Sequence, residues 1–242
     1  MRAATEAAGD QEAVAFIGPF RSRAVAEAIE ATAPARLPLL APVATWAGVT
    51  RDDEPGCEDR PADHRGTVLR MVARDTEVAR RIAERLRARG ERAFVVAGSG
   101  EYGTQLEGQL RLAELPRAER LEDAALVVDA GVPEEPGMEL AAGTAPLPVI
   151  AFDGVQGLDL GDREVWVALP FAEDPTHGVE AARAARFVAD ALAGGAATRA
   201  EVLAACRAAG PFDAYGDPVD PPVWLWRADA DWSLRPERPL ED

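Results

Sequence analysis

Residues 13–50 read AVAFIGPFRSRAVAEAIEATAPARLPLLAPVATWAGVT, and their pattern decides the fold. Val14 to Ile17 form an apolar run that stops at Gly18-Pro19. Val25, Ala28, Ile29 and Thr32 then recur at helical spacing, and a second apolar run, Leu37 to Leu40, ends at Pro42-Val43-Ala44-Thr45. The periods predict strand, turn, helix, strand, turn. Both turns fall at the C-terminal ends of strands, where open parallel α/β sheets place their ligands. The first also leads into a helix N-terminus, whose N–H groups favour anions.

A chain of 242 residues is long enough for two small lobes or one large α/β domain. Its formal net charge of −16 argues against nucleic acid or an anionic membrane surface as partner. All 26 basic residues are Arg, so a Walker-type phosphate loop and a Schiff-base mechanism both lack their Lys. No apolar run approaches the roughly 20 residues of a membrane span. The opening MRAATEAAGDQEA has no apolar signal core, which predicts a cytoplasmic protein, or a periplasmic or extracellular one if a leader has been removed.

Cys57 and Cys206 lie far apart and read as free thiols, not as a disulfide framework. His64 and His177 have no second ligand at metal-binding spacing, so neither a metal nor a cofactor is expected. Cys57 with His64 could form a thiol nucleophile and its base, but the acidic EDRPAD between them offers no orienting partner. No catalytic residue is assigned and no enzyme is expected.

Further along, residues 51–65 read as a polar excursion and Thr67 to Met71 as a short strand. Asp75 or Thr76 can cap a helix with Val78, Ala79, Ile82, Ala83 and Leu86 on one face, which Gly90 stops. Ala93 to Ala97 is a buried strand, and Gly98 to Gly103 leads into a helix carrying Leu106, Leu110 and Leu115. Strands follow at Ala125 to Val128, Pro148 to Phe152 and Glu164 to Leu169, with a short helix at Pro133 to Ala142. A helix at Val179 to Leu192 precedes another that Thr198 and Glu201 open as a capping box and Gly210 ends. Val223 to Arg227 reads as the last strand, with both faces partly covered.

The FIGPFRS and LLAPVAT pair resembles the substrate-binding proteins of branched-chain amino acid (Leu/Ile/Val) ABC transporters, a family with the type I periplasmic-binding-protein fold. Leu69-Arg70 with Arg74-Asp75 resembles the family's F-R-T-x-x-x-D passage, and Tyr102-Gly103 its D-x-x-x-YG turn. The tail, with its G-D-P turn at Gly216-Asp217-Pro218 and the run Pro222-Val223-Trp224-Leu225-Trp226-Arg227, resembles the family's ending. The likeness runs from about Ala13 to Leu234 but departs in places. The family's A-Y-D-A helix reads Ala181-Ala182-Arg183-Ala184 here, and the opening strand-helix-strand and one unit of the second lobe are absent. The resemblance implies a truncated relative with two doubly wound parallel-sheet lobes joined by crossing strands. Residues 1–74 and 170–211 would form the first lobe, and residues 75–169 and 212–242 the second.

By position in the motifs, the resemblance implies ligand contacts from Ser22, Ala44 and Thr45 to a carboxylate, from Tyr102 over the ligand, and from Asp153 to an ammonium. Tyr102 equally suits a plain turn, and Asp153 an N-cap or turn. The implied function is non-catalytic binding of an amino-acid-like or amide ligand, as a solute receptor or as a cytoplasmic sensor or accessory subunit. A degenerate fold used as a protein-interaction subunit is the alternative. In the parent topology the strand Val14 to Ile17 lies beside the missing opening strand. Its apolar edge therefore predicts pairing with a second copy or with a subunit that supplies the absent strands.

Overall fold

The computed structural model describes residues 1–51, 54, 66–131, 147–152, 164–170, 178–229 and 233–240. By compactness the chain divides into two units, Met1–Arg74 with Thr176–Pro221, and Asp75–Pro175 with Pro222–Asp242. Cys57, His64, His177 and the helix expected over residues 133–142 lie outside the described residues.

The first unit opens with α1 (Arg2–Gly9) and continues through β1 (Phe16–Ile17), α2 (Ser22–Thr32), β2 (Leu39–Ala41) and β3 (Val68–Arg70). These strands form a parallel sheet in the order β1-β2-β3. β1 is shorter than the apolar run predicts. Pairing begins only at Phe16, which faces Leu39, and Ala13 is held instead through its carbonyl by the Arg199 guanidinium at 2.9 Å. α2 has the predicted face, with Val25, Ala28, Ile29 and Thr32 buried against a core that includes Leu39, Ala41, Ala44 and Val68. Burying Val25 and Ile29 is worth roughly 1.5–3 kcal/mol each, which holds α2 on the sheet.

Two more helices complete this unit, α5 (Gly178–Ala193) and α6 (Arg199–Ala209), numbered after the two helices of the other unit. The capping box at the start of α6 is present: Thr198 accepts from the Glu201 N–H, and Glu201 accepts from the Thr198 N–H. Arg199, at the first position of α6, donates to the carbonyls of Ala7, Ala8, Asp10, Ala13 and Ala35. One guanidinium thus satisfies carbonyls left over at the end of α1.

Residues 212–221 belong to this unit and not, as the sequence reading places them, to the second. The reason is packing. The Phe212 ring meets Phe187 of α5 edge-on with centroids 6.0 Å apart, and the turn at Gly216 is pressed against β3.

The second unit contains α3 (Asp75–Arg89), β4 (Ala93–Ala97), α4 (Glu101–Leu112), β5 (Leu126–Ala130), β6 (Val149–Ala151), β7 (Val165–Leu169), β8 (Trp224–Ala228) and β9 (Leu234–Pro239). Its sheet runs β4-β5-β6-β7-β8-β9, parallel as far as β7 and antiparallel for the last two strands. The apolar strands β5, β6 and β7 are almost wholly buried, as strands covered on both faces must be. Trp226 of β8 is buried to 1% exposure while Arg227 beside it faces out and Trp224 is half-buried, so Trp226 packs the core.

Candidate functional site

In the first unit the two turns singled out by the sequence stand side by side. The backbone N–H of Trp46 donates to Ser22 Oγ at 3.2 Å, which fastens the turn after β2 to the first residue of α2. Ser22 is half-buried, Ala44 fully buried and Thr45 buried to 8% exposure.

The turn is shaped from below by one side chain. Arg70 ends β3 with no exposed surface, and its guanidinium donates to the carbonyl of Ala44, to the carbonyl of Trp46 at 3.0 Å, and to Thr50 Oγ1 at 2.8 Å. Its Nε meets Asp217 Oδ1 at 3.0 Å. Asp217 also accepts from Thr50 Oγ1 at 2.6 Å and from Arg51 Nε at 2.9 Å, and Arg74 Nε stands 3.5 Å away. Burial alone would raise the Asp217 carboxyl, but Arg70, Thr50, Arg51 and Arg74 together hold it below the usual carboxylate range. Arg51 in turn lies over the Tyr215 ring, 3.9 Å from its centroid.

This arrangement separates the polar groups of the turn. The carbonyls of Ala44 and Trp46 point into the Arg70 side, and the N–H of Trp46 is taken by Ser22. Among the described residues the N–H groups of Ala44 and Thr45 donate to no protein acceptor, and neither do those of Ser22, Arg23 and Ala24 in the first turn of α2. Because Ser22 Oγ accepts from Trp46, its own O–H proton remains to be donated. What is left over is a set of donors at the positive end of an 11-residue helix, chemistry suited to a carboxylate. Ser22, Ala44 and Thr45 are thus brought together within one unit.

The G-D-P turn of the tail has a structural task in this network. Gly216 has φ +90°, and a Cβ there would lie 2.0 Å from the Val68 carbonyl oxygen, so the turn can press against β3 only with Gly. Its carbonyl accepts the Arg70 N–H at 2.8 Å, and the next residue, Asp217, meets the Arg70 side chain.

Tyr102 lies in the second unit, half-buried in the first turn of α4. The Gly beside it is explained by packing: a Cβ on Gly103 would sit 2.5 Å from the Gly98 carbonyl oxygen, so α4 can approach the end of β4 this closely only with Gly there. Asp153 lies outside the described residues.

One group at the strand ends of this unit was not singled out from sequence. Asp129 is the fourth of the five residues of β5, 2% exposed, and among the described residues its Oδ1 has no hydrogen-bond partner. Burial pushes its carboxyl up to about 7, opposed by one hydrogen bond from the Gly131 backbone. The available signal was a lone acid in the apolar run ALVVDA.

Among the described residues no group of three or more His, Cys, Asp or Glu side chains could hold a metal ion, and no helix is long and apolar enough to cross a membrane.

No family model matches the chain, and no curated protein matches it. Solved structures do. An ABC transporter substrate-binding protein from Desulfitobacterium hafniense superposes with a TM-score of 0.75 at 19% identity, over 98% of this chain and 84% of that one. The branched-chain amino acid transporter substrate-binding protein LivJ from Streptococcus pneumoniae, in complex with isoleucine, gives 0.72 at 15% identity, over 98% and 83%. A solute-binding protein of an ABC transporter from R. palustris, in complex with benzoate, gives 0.68 at 15% identity, over 99% and 81%. The fold is therefore that of ABC transporter substrate-binding proteins, the type I periplasmic-binding fold that the sequence motifs imply.

Proposed function

We propose that this chain binds a small amino-acid-like or amide ligand without chemistry, with Ser22, Ala44 and Thr45 receiving its carboxylate or carbonyl oxygen. The observation that carries this reading is the bond from the Trp46 N–H to Ser22 Oγ, which sets the unbonded N–H groups of the second turn beside those of α2. The fold adds support, since structures that share it hold isoleucine and benzoate, both carboxylates. A solute receptor and a sensor or accessory subunit are covered alike, because each binds without converting its ligand. Tyr102 and Asp153 rest on the family resemblance alone. Asp153→Asn should weaken an amino acid more than its des-amino analogue, and equal losses remove it from the site.

The test is a thermal shift against amino acids, amides and small carboxylic acids. A ligand at 100 times its dissociation constant adds about 2.7 kcal/mol to the folded state, a rise of several degrees. A broad panel that leaves the melting temperature unmoved overturns the reading.

A second reading, pairing through the first unit's sheet, is favoured by a specific observation. β1 stands at the edge of the described strands in that sheet, and nearby Ile17 and Phe20 are 38% and 53% exposed. Such an edge recruits another strand, either from a second copy or from a separate subunit. Sedimentation at micromolar concentration tests it, and a soluble monomer of 25.7 kDa refutes it.

A further inference from the structure

Each of the two sheets has an edge strand at either end, and three of those edges are guarded. In the second unit β4 is covered at its start, where the Ala93 N–H donates to the Pro116 carbonyl at 2.8 Å and the Ala93 carbonyl accepts from Ala118 at 2.9 Å. At the other end β9 presents Arg235, Pro236, Glu237 and Pro239, charges and prolines that discourage a further strand. In the first unit the outer side of β3 is taken by the tail turn, whose Gly216 carbonyl accepts the Arg70 N–H at 2.8 Å. Among the described residues β1 has no such guard. Phe16 and Gly18 give their N–H groups to the carbonyls of Pro38 and Leu40, at 2.7 and 2.9 Å, so Ala15 and Ile17 turn theirs the other way, where neither donates to a described acceptor.

The charges around this edge are sorted by sign. Before β1 stand the exposed acids Asp10 and Glu12, and after it the exposed Arg21 and Arg23. Arg23 stands 3.9 Å from Glu27 with its side chain 90% exposed, and Glu12 and Arg21 make no ion pair among the described residues. Such an edge is complementary to itself when two copies run antiparallel, because the acids of one then meet the arginines of the other. Run parallel, like charges would meet. The outward groups of Ala15 and Ile17 fit the same arrangement. With a two-fold axis at Phe16, Ala15 of one copy lies opposite Ile17 of the other, and the two residues exchange both hydrogen bonds.

We infer that the occupant of this edge is a second copy of the chain, joined antiparallel through β1 about a two-fold axis. This rests on the sheet-pairing reading and narrows it from any strand to the chain's own. Two residues of strand cannot hold a dimer alone, since a stable interface buries about 800 Å² on each partner. The remaining area comes from the exposed Ile17 and Phe20 and from α5, which packs against β1. Of the 16 residues of α5 only Glu180, Ala184 and Ala191 are buried, and Ala182, Ala185, Ala189 and Leu192 lie exposed along one face. Each copy carries a net −16, so general repulsion opposes the pairing and the local charges give it its direction.

The experiment is sedimentation of the full chain at micromolar concentration and about 0.15 M salt, where distant charges are screened. Wild type should be a dimer. Ile17→Lys, which puts a charge on the edge, and Glu12→Arg, which sets like charges together at both symmetric sites, should each raise the dissociation constant by about tenfold or more. Adding Arg21→Glu to Glu12→Arg should return it to within about twofold of wild type, since the pair is then only exchanged. A dimer that Ile17→Lys disrupts, but that the charge variants leave unchanged or the exchange fails to restore, overturns the antiparallel assignment and leaves the edge reading standing. A wild-type monomer, or a dimer indifferent to every variant, overturns both. Should Ile17→Lys fail to fold, hydrogen exchange on wild type decides. Protection of the Ala15 and Ile17 amides that grows with protein concentration supports the assignment, and protection independent of concentration refutes it.

Discussion

Arg70 Nε meets Asp217 Oδ1 at 3.0 Å with both side chains sealed from solvent, at 0% and 2% exposure. The pair links the end of β3 to the tail turn, and through Arg70 it holds the carbonyls of Ala44 and Trp46 in the candidate site. The position of the turn that carries Ala44 and Thr45 is therefore set from behind it, by Arg70 and Asp217.

Removing one partner of a buried ion pair leaves the other uncompensated, which typically costs 3–5 kcal/mol. Asp217→Asn should lower stability by that order, measured by urea unfolding near pH 7. The sign of the pH dependence follows from the lowered carboxyl: its contribution is present above the ordinary value of 3.8 and disappears as pH falls through the folded-state value. The gap between wild type and Asp217→Asn should therefore narrow in acid. A constant gap would mean that Asp217 acts through packing alone.

Asp129 should behave in the opposite sense. Its folded carboxyl titrates at about 7 against an ordinary 3.8, so the unfolded chain gives up this proton first and folding loses stability as pH rises between those values. At about 1.36 kcal/mol per unit the loss is of the order of 4 kcal/mol. Asp129→Asn removes that dependence, so ligand-free variant and wild type should melt alike near pH 4, and the variant should melt higher at pH 8. Parallel melting curves at both pH values would show that the carboxyl is not held neutral.

Ser22 joins the two turns but contributes a single partly exposed hydrogen bond to the fold. Ser22→Ala should cost no more than about 1 kcal/mol of stability, yet weaken a carboxylate ligand by roughly tenfold, since bonds to charged groups are worth about 1.5–3 kcal/mol. Calorimetry with the best ligand of the thermal screen checks it. Unchanged affinity would take Ser22 out of the site.

Gly103→Ala places a methyl group 2.5 Å from the Gly98 carbonyl oxygen, a backbone atom that cannot turn aside. Overpacking of this kind costs about 1–3 kcal/mol, and denaturant unfolding should show a lower midpoint with the slope unchanged. A neutral result would mean that α4 shifts outward freely, and that the Tyr102-Gly103 pair is not held by close approach.

The sequence alone determined most of the described elements, because apolar spacing is local: α2, α3, β4 and the capping box of α6 stand where periodicity and caps place them, whereas β9, polar and paired only with β8, follows the strand read as the last. It also marked the two turns that meet through Ser22 and Trp46, since Gly, Pro and Ser at strand ends announce themselves without knowledge of their neighbours. Tertiary structure alone decided the rest. Nothing in the spacing shows that Arg70 and Asp217, 147 residues apart, satisfy one another, because a buried charge is legible only with its partner. The same limit hid Arg199, whose five carbonyl acceptors lie more than 150 residues away, and it assigned residues 212–221 to the wrong unit. Asp129 is the converse case: the sequence displays an acid in an apolar strand, but only its burial in the fold pushes that carboxyl up to about 7.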